Sequence, residues 1–348
     1  MIPLYNELIS LLYIILIIFG VVLLLFIILK IVLLSTSSRI ACTNDRNEDF
    51  ASIGTLSFLQ YNVFWRPTII HIGRAEYVSE RASLLLDQIS KFDICAFNEA
   101  FQFGSSIVQE FVEGVKEKGF NWAISSEKSG FFSRFVIDSG LLLFSKHPIL
   151  ESQSIIYSSG CGVDNFASKG ALYAKVKTGV NDHLHVFCTH LQASYGDPTG
   201  IDVSVRVSQV EELSQFMTNV SSDGYPLVLL GDFNVNSRKG REYDMILNVL
   251  NVRGYKCTNV THQYLGSHPV TFGDSEGGKP IDTVLTTELD FNTHQCLDYI
   301  FLFQKVGVPL NIDSLTAEIE KFHVKGHPFV QLSDHYGIST AFSLSRSE

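Results

Sequence analysis

From Thr55 onward, short apolar runs of strand length alternate with amphipathic helical stretches, and this recurrence constrains the fold more than any other feature of the chain. TLSFLQYNV, DICAFNEA, SGLLLFSKHPIL, LYAKVKT, HLHVFCTHLQA, PLVLLGDFNVN, CLDYIFLF and YGISTAFSL read as strands. SERASLLLDQISKF, SSIVQEFVEGVKEKGF, SVRVSQVEELSQFMTNV and REYDMILNVLNVRGY place apolar residues at helical spacing, the second closed by Gly119. Each element has an apolar face to cover, so the alternation predicts a layered α/β domain. Periodicity leaves the parallel or antiparallel sense of the strands open. No linker, low-complexity tract or short-period repeat interrupts residues 55–345, which are expected to form one domain large enough for two packed sheets.

Ahead of that domain, the run from Leu8 to Leu29 carries no charge. A hydrocarbon core about 30 Å thick needs roughly 20 such residues in a helix. A signal peptide would have an apolar region of about 7–15 residues and a small-residue cleavage site, whereas here Lys30 leads into IVLLSTSS. Residues 1–34 are expected to be an uncleaved transmembrane anchor, and 35–54, polar and charged, a juxtamembrane linker. The anchor accounts for much of the 46% hydrophobic content and the mean hydropathy of +0.18. Lys30, Arg39 and Arg46 follow the apolar run and no basic residue precedes it, which favours a cytosolic catalytic domain. Two glycosylation sequons, at Asn219 and Asn259, point the other way.

A net charge of −10 argues against a protein that grips nucleic acid by neutralising phosphates. The six cysteines, at 42, 95, 161, 188, 257 and 296, show neither a C-x-x-C pair nor zinc spacing. Cys95 and Cys188 lie within apolar runs and read as buried free thiols.

The chemistry sits at the strand ends. Asn62 ends the first strand, Glu99 the second, His190 ends HVFCTH, and Asp232 and Asn234 end LVLLGDFN. Asp298 opens DYIFLF, and Asp334 with His335 precedes the last strand. One such residue is ordinary turn chemistry; the repetition is not. Carboxylate and amide oxygens without thiolates suit Mg²⁺, and two histidines suit proton transfer near neutral pH. Together they are the parts needed to hydrolyse a phosphodiester.

In that order, YNVF, FNEAF, THLQA, GDFN, LDYIF and SDHYG resemble the signature of the endonuclease/exonuclease/phosphatase superfamily, from about Thr55 to Ser345. THLQA, LDYIF, RVSQVEELSQF and DSGLLLFSKHPI are similar to the neutral sphingomyelinase branch. Asp164 and Lys169 match an aspartate and a lysine that vertebrate-type members carry in a loop near the substrate. The resemblance implies a four-layer sandwich of two packed β-sheets flanked by helices, following the transmembrane helix. It also implies Mg²⁺-dependent, phospholipase C-type hydrolysis of sphingomyelin to ceramide and phosphocholine, with Mn²⁺ as a substitute metal. The partners it implies are the lipid substrate and the bilayer, with no nucleic acid. Members with hydrophobic segments after the catalytic domain differ from this chain, whose apolar run comes first.

Carried over, Glu99 is the main metal ligand with Asn62 beside it, and Asp334 completes the metal environment. His335 is the general base, oriented by Asp298 as in catalytic triads. Asp232 and Asn234 stand against the phosphoryl group or a metal, and His190 donates to a phosphoryl oxygen or protonates the leaving alkoxide. Asn234, Lys169 and Asp164 form the substrate-binding set. A nuclease or inositol-phosphate phosphatase on the same scaffold is the alternative, and an inactive binding module a third reading. His183 and His185 fit no motif and read, with the remaining histidines, as surface or structural residues.

Overall fold

The structure, a computed structural model, describes residues 13–27, 54–67, 76–102, 104–126, 135, 137–180, 182–194, 196, 200–273, 275–276, 279–280, 284–286, 293–308 and 310–346. Residues 13–27 form helix α1, whose apolar side chains are exposed. Among the described residues no helix is long and apolar enough to cross a membrane, so the expected span is not shown. The rest of the apolar run, the linker up to residue 53, Lys30, Arg39, Arg46 and Cys42 lie outside the described residues.

Two six-stranded sheets face each other. The first runs, in spatial order, β13 (Leu310–Glu320), β14 (Gly337–Arg346), β1 (Leu56–Trp65), β2 (Ile94–Ala100), β4 (Leu142–Ser145) and β3 (Trp122–Ser125). The second runs β5 (Ile149–Ile156), β6 (Gly170–Lys177), β7 (His183–His190), β8 (Leu227–Asp232), β12 (Asp298–Lys305) and β9 (Tyr255–Asn259). A short ribbon pairs β10 (Ser275–Glu276) with β11 (Lys279–Pro280). Within the two sheets, β1–β2 and β7–β8 are parallel and the other described pairings antiparallel.

Alternate side chains of the central strands point to opposite faces of the sheet, and both faces are apolar. Between the sheets Leu56, Phe58, Ile94, Ala96, Val186, Cys188, Val228, Leu230, Ile300 and Leu302 form the middle core. Outside the first sheet, α2 (Val78–Gln88) and α3 (Ile107–Glu117) bury Leu85, Phe111 and Val115 against Leu59, Phe97 and Phe144. Outside the second, α4 (Ile201–Val220) and α5 (Arg241–Val249) bury Val210, Met217 and Ile246 against Phe187, Leu229 and Phe301. The four layers are therefore helices, sheet, sheet, helices. The described cysteines 95, 161, 188, 257 and 296 are free.

Two local expectations change. SGLLLFSKHPIL is two strands in different sheets, β4 and β5, because the chain turns between Ser145 and Pro148. There Ser145 Oγ accepts the His147 N–H at 2.9 Å. β13 has no counterpart among the expected strands. Its sequence, LNIDSLTAEIE, mixes polar residues throughout because it lies at the edge of the sheet, and a register shift between Asp313 and Thr316 breaks its alternation.

Candidate active site

The middle core becomes polar at one end, along the same inward-facing positions. On β1 the sequence Leu56, Phe58 continues as Gln60 and Asn62; on β2 Ile94, Ala96 continues as Asn98. On β7 Cys188 is followed by His190, on β8 Leu230 by Asp232, and on β12 Ile300 is preceded by Asp298. Register aligns them: Asn62 sits opposite Asn98, and Asp232 opposite both His190 and Asp298. Both sheets therefore deliver their polar ends to one place.

Glu99 breaks this parity, since a regular strand would turn it away from Asn98. Its backbone is left-handed, with φ 57°, a conformation uncommon for a residue with a side chain and concentrated at functional sites. The β1–β2 register shifts between Asn62 and Trp65. Gly140 packs against this kink: a Cβ there would lie 2.9 Å from the Phe101 ring and 3.1 Å from Glu99 Cα, at φ +64°. Asn234 is left-handed too, at φ 52°, with its N–H donating to Asp232 Oδ1 at 2.8 Å.

The side chains form a connected network. Asn62 Nδ2 donates to Glu99 Oε1 and to Asp232 Oδ2, both at 3.0 Å, while its Oδ1 accepts the Phe64 N–H. As placed, Asn62 positions the two carboxylates through its nitrogen, whereas a carboxamide ligates a metal through its oxygen. His335 Nδ1 meets Asp298 Oδ2 at 2.9 Å, and its Nε2 stands 3.5 Å from Asn62 Nδ2 and 3.8 Å from Asp232 Oδ2. Lys169 Nζ lies 3.0 Å from Asp164 Oδ2 and 3.1 Å from His190 Nε2. Asn234 Nδ2 also approaches His190 Nε2, at 3.1 Å. Both neighbours are donors, so His190 Nε2 accepts and the ring proton sits on Nδ1. In this arrangement Nε2 is not itself a donor.

Buried residues to which the sequence assigned no role support these groups. Gln60 donates to Asn98 Oδ1 and reaches Asp298 Oδ1 at 3.4 Å. Asn98 Oδ1 also accepts the Asp232 N–H at 3.2 Å, and Thr271 Oγ1 accepts the Asp298 N–H at 3.2 Å. Ser333 Oγ donates to the Asn62 carbonyl at 2.6 Å, fixing the loop that carries Asp334 and His335.

The electrostatics point one way. Burial raises Glu99, and the neighbouring charge of Asp334 adds to it, lifting the carboxyl to about 7. Burial likewise raises Asp334. Burial works to lower His335, but Asp298, Asp232 and Asp334 overcome it and push the imidazole up to about 10. His190 goes the other way: burial, then Lys169, push it down to about 3, so it is neutral. A site that raises two carboxyls and an imidazole together has a surplus of negative charge. Its donors are oxygens, and these residues fit a hard divalent cation.

The network floors a cleft of about 1020 Å³. Its walls include Phe64, Phe101, Phe166, Phe272 and Val163, with Val163 64% and Phe166 56% exposed. Every sequence-predicted site residue reaches this region: Glu99, Asp164, Lys169, His190, Asp232, Asn234, Asp334 and His335 line the cleft, and Asn62 and Asp298 hydrogen-bond to its lining residues.

Residues 59–335 match the model of the Endonuclease/Exonuclease/phosphatase family. A sphingomyelinase of Dictyostelium discoideum is 29% identical, over 80% of this chain and 77% of its own length. A phospholipase C of Staphylococcus aureus is also 29% identical, over 81% of this chain and 86% of its own. Among solved structures, a beta toxin from Staphylococcus aureus with bound magnesium ions is similar in fold, with TM-score 0.62 and 24% identity over 83% of this chain and 99% of its own.

Proposed function

Because the chain belongs to the Endonuclease/Exonuclease/phosphatase family, we propose that its cleft carries out phospholipase C-type hydrolysis of sphingomyelin, releasing phosphocholine and ceramide. The observation that carries this reading is the His335–Asp298 pair facing Asp232 and Asn62 at the floor of a cleft with an apolar rim. The relatives named sphingomyelinase and phospholipase C, similar over most of both chains, support the substrate class.

Glu99 and Asp334 would hold a magnesium ion, with Mn²⁺ able to replace it, and Asn62 would keep Glu99 in place. A bound divalent cation would stabilise charge on the phosphoryl oxygens and offset the carboxylates that keep His335 protonated. Asp298 fixes the His335 tautomer, leaving Nε2 to take the proton of the attacking water. Asp232 and Asn234 face the phosphoryl group from the β8 end. As the bond from phosphorus to the ceramide oxygen breaks, Lys169 beside His190 is the proton source for the leaving alkoxide. Asp164 anchors that lysine and accepts the Ala193 N–H at 2.8 Å, tying its loop to the strand end.

The uncharged run from Leu8 to Leu29 supports a single-pass anchor that would hold the cleft at a bilayer, with the cytosolic orientation favoured by the basic residues after it. The deciding experiment offers the protein, with Mg²⁺, sphingomyelin, phosphatidylcholine, plasmid DNA and inositol phosphates in parallel. Phosphocholine release from sphingomyelin with negligible nicking is expected. Plasmid nicking or inositol phosphate cleavage at comparable rates would overturn the reading.

A further inference from the structure

At the end of β7 remote from the cleft, two imidazoles converge on one carboxylate. His183 Nε2 lies 2.8 Å from Asp223 Oδ2, and His185 Nε2 lies 2.7 Å from Asp223 Oδ1. The two histidines share one face of the strand through its period of two. Asp223 comes from the turn between α4 and β8. At about 3.3 Å per strand residue, His185 is roughly 16 Å from His190, too far for this cluster to serve the cleft. We propose that His183, His185 and Asp223 form a binding site for a divalent transition-metal ion of the zinc type.

Three observations carry the assignment. The donor atoms of the three residues all lie within 4.8 Å of one another. Tetrahedral zinc with bonds of about 2.0–2.1 Å sets its ligand atoms roughly 3.3 Å apart, so each imidazole needs to open from the carboxylate by only about half an ångström. Both rings are held from behind: the Tyr173 hydroxyl sits 2.9 Å from His185 Nδ1, and the Tyr225 ring lies 3.7 Å from the His183 ring, centroid to centroid. Metal-binding histidines use their second nitrogen as His185 does here, to fix tautomer and orientation. A hydroxyl both donates and accepts. Tyr173 therefore suits the metal-free ring, with its proton on Nε2 facing Asp223, and the metal-bound ring, with its proton on Nδ1.

The opposing charge is Lys175, 3.3 Å from Asp223 Oδ2. Its ammonium also lies 3.7 Å from Glu151, which would keep it paired when an ion takes Asp223. Asp223 is 31% exposed, leaving a side open for a water ligand. Imidazole donors favour zinc, cobalt or nickel over the oxygen-seeking magnesium. A bound ion would fasten β7 to the turn after α4.

The test titrates Co²⁺, as a spectroscopic probe, into the full chain with the cleft saturated by Mg²⁺. One equivalent should develop the visible absorption of low-symmetry cobalt. It should persist in Glu99→Gln, disappear in His183→Ala and Asp223→Asn, and require about 10–100-fold more cobalt in Tyr173→Phe. Zn²⁺ should raise the thermal midpoint of the wild type and leave that of His183→Ala unchanged, which separates metal loss from misfolding. No cobalt bands in the wild type, or bands that survive in folded His183→Ala, would overturn the proposal.

Discussion

His335 Nδ1 and Asp298 Oδ2 lie 2.9 Å apart, and this bond turns the other ring nitrogen, Nε2, toward the cleft. Replacing His335 by Ala should lower kcat by about 10²–10⁴-fold, the usual contribution of a positioned base. Asp298→Asn should fall between that variant and the wild type, because the ring stays in place while its tautomer is no longer imposed. Steady-state kinetics with micellar sphingomyelin check both. Near-normal turnover of His335→Ala across the pH range would move the base to another residue.

Glu99→Gln removes one negative charge at constant volume from a site that raises its carboxyls. The variant should fold normally, bind Mg²⁺ more weakly by calorimetry and lose nearly all turnover. Chelator should silence the wild type, and added Mg²⁺ or Mn²⁺ should restore it. Full activity in excess chelator would contradict a metal-dependent mechanism.

Gly140→Ala tests the kink at Glu99. The new Cβ would meet the Phe101 ring at 2.9 Å and Glu99 Cα at 3.1 Å, on a left-handed backbone. Strain of this kind costs about 1–3 kcal/mol, readable by denaturant unfolding. Turnover should fall further than stability alone explains, since the displaced backbone carries Glu99. An unchanged rate would mean the kink does not set the position of that carboxylate.

The metal-free protein should lose stability as pH rises. His335 is raised from 6.5 to about 10 in the folded state, so the folded form holds a proton that the unfolded form releases between those values. The contribution is complete below about pH 6.5 and is lost as pH climbs toward about 10. Urea midpoints of wild type and His335→Ala, both in chelator, should therefore converge over that window. A difference that stays constant with pH would rule out this linkage.

Val163 and Phe166 stand 64% and 56% exposed at the rim of the cleft. Exchanging both for Ser should reduce activity on sphingomyelin in vesicles while sparing a water-soluble phosphocholine ester. An equal effect on the two substrates would place these side chains in the chemistry rather than at the bilayer.

Much of this site was legible in the sequence because it lies on strands. Asn62, His190, Asp232 and Asp298 continue the inward-facing apolar positions of their strands, so a polar residue ending an apolar run marked each one. The supporting residues were not legible. Gln60 and Asn98 look like ordinary polar positions of an alternating strand until the opposite sheet covers them, and Thr271 and Ser333 lie outside the strands. The left-handed turn at Glu99 was hidden too, since nothing in FNEAF announces it without Gly140 from another strand connection. His183 and His185 read as incidental because Asp223, their shared partner, is 40 and 38 residues away in a turn.

β1 pairs with β14, and Asn62 on β1 meets the His335 ring across 273 residues of sequence. A ribosome making this chain thus delivers Glu99 long before it delivers His335. On the proposed roles, the nascent polypeptide should have no complete site until β14 has emerged and docked, which would keep a lipid-cleaving enzyme harmless throughout its own synthesis.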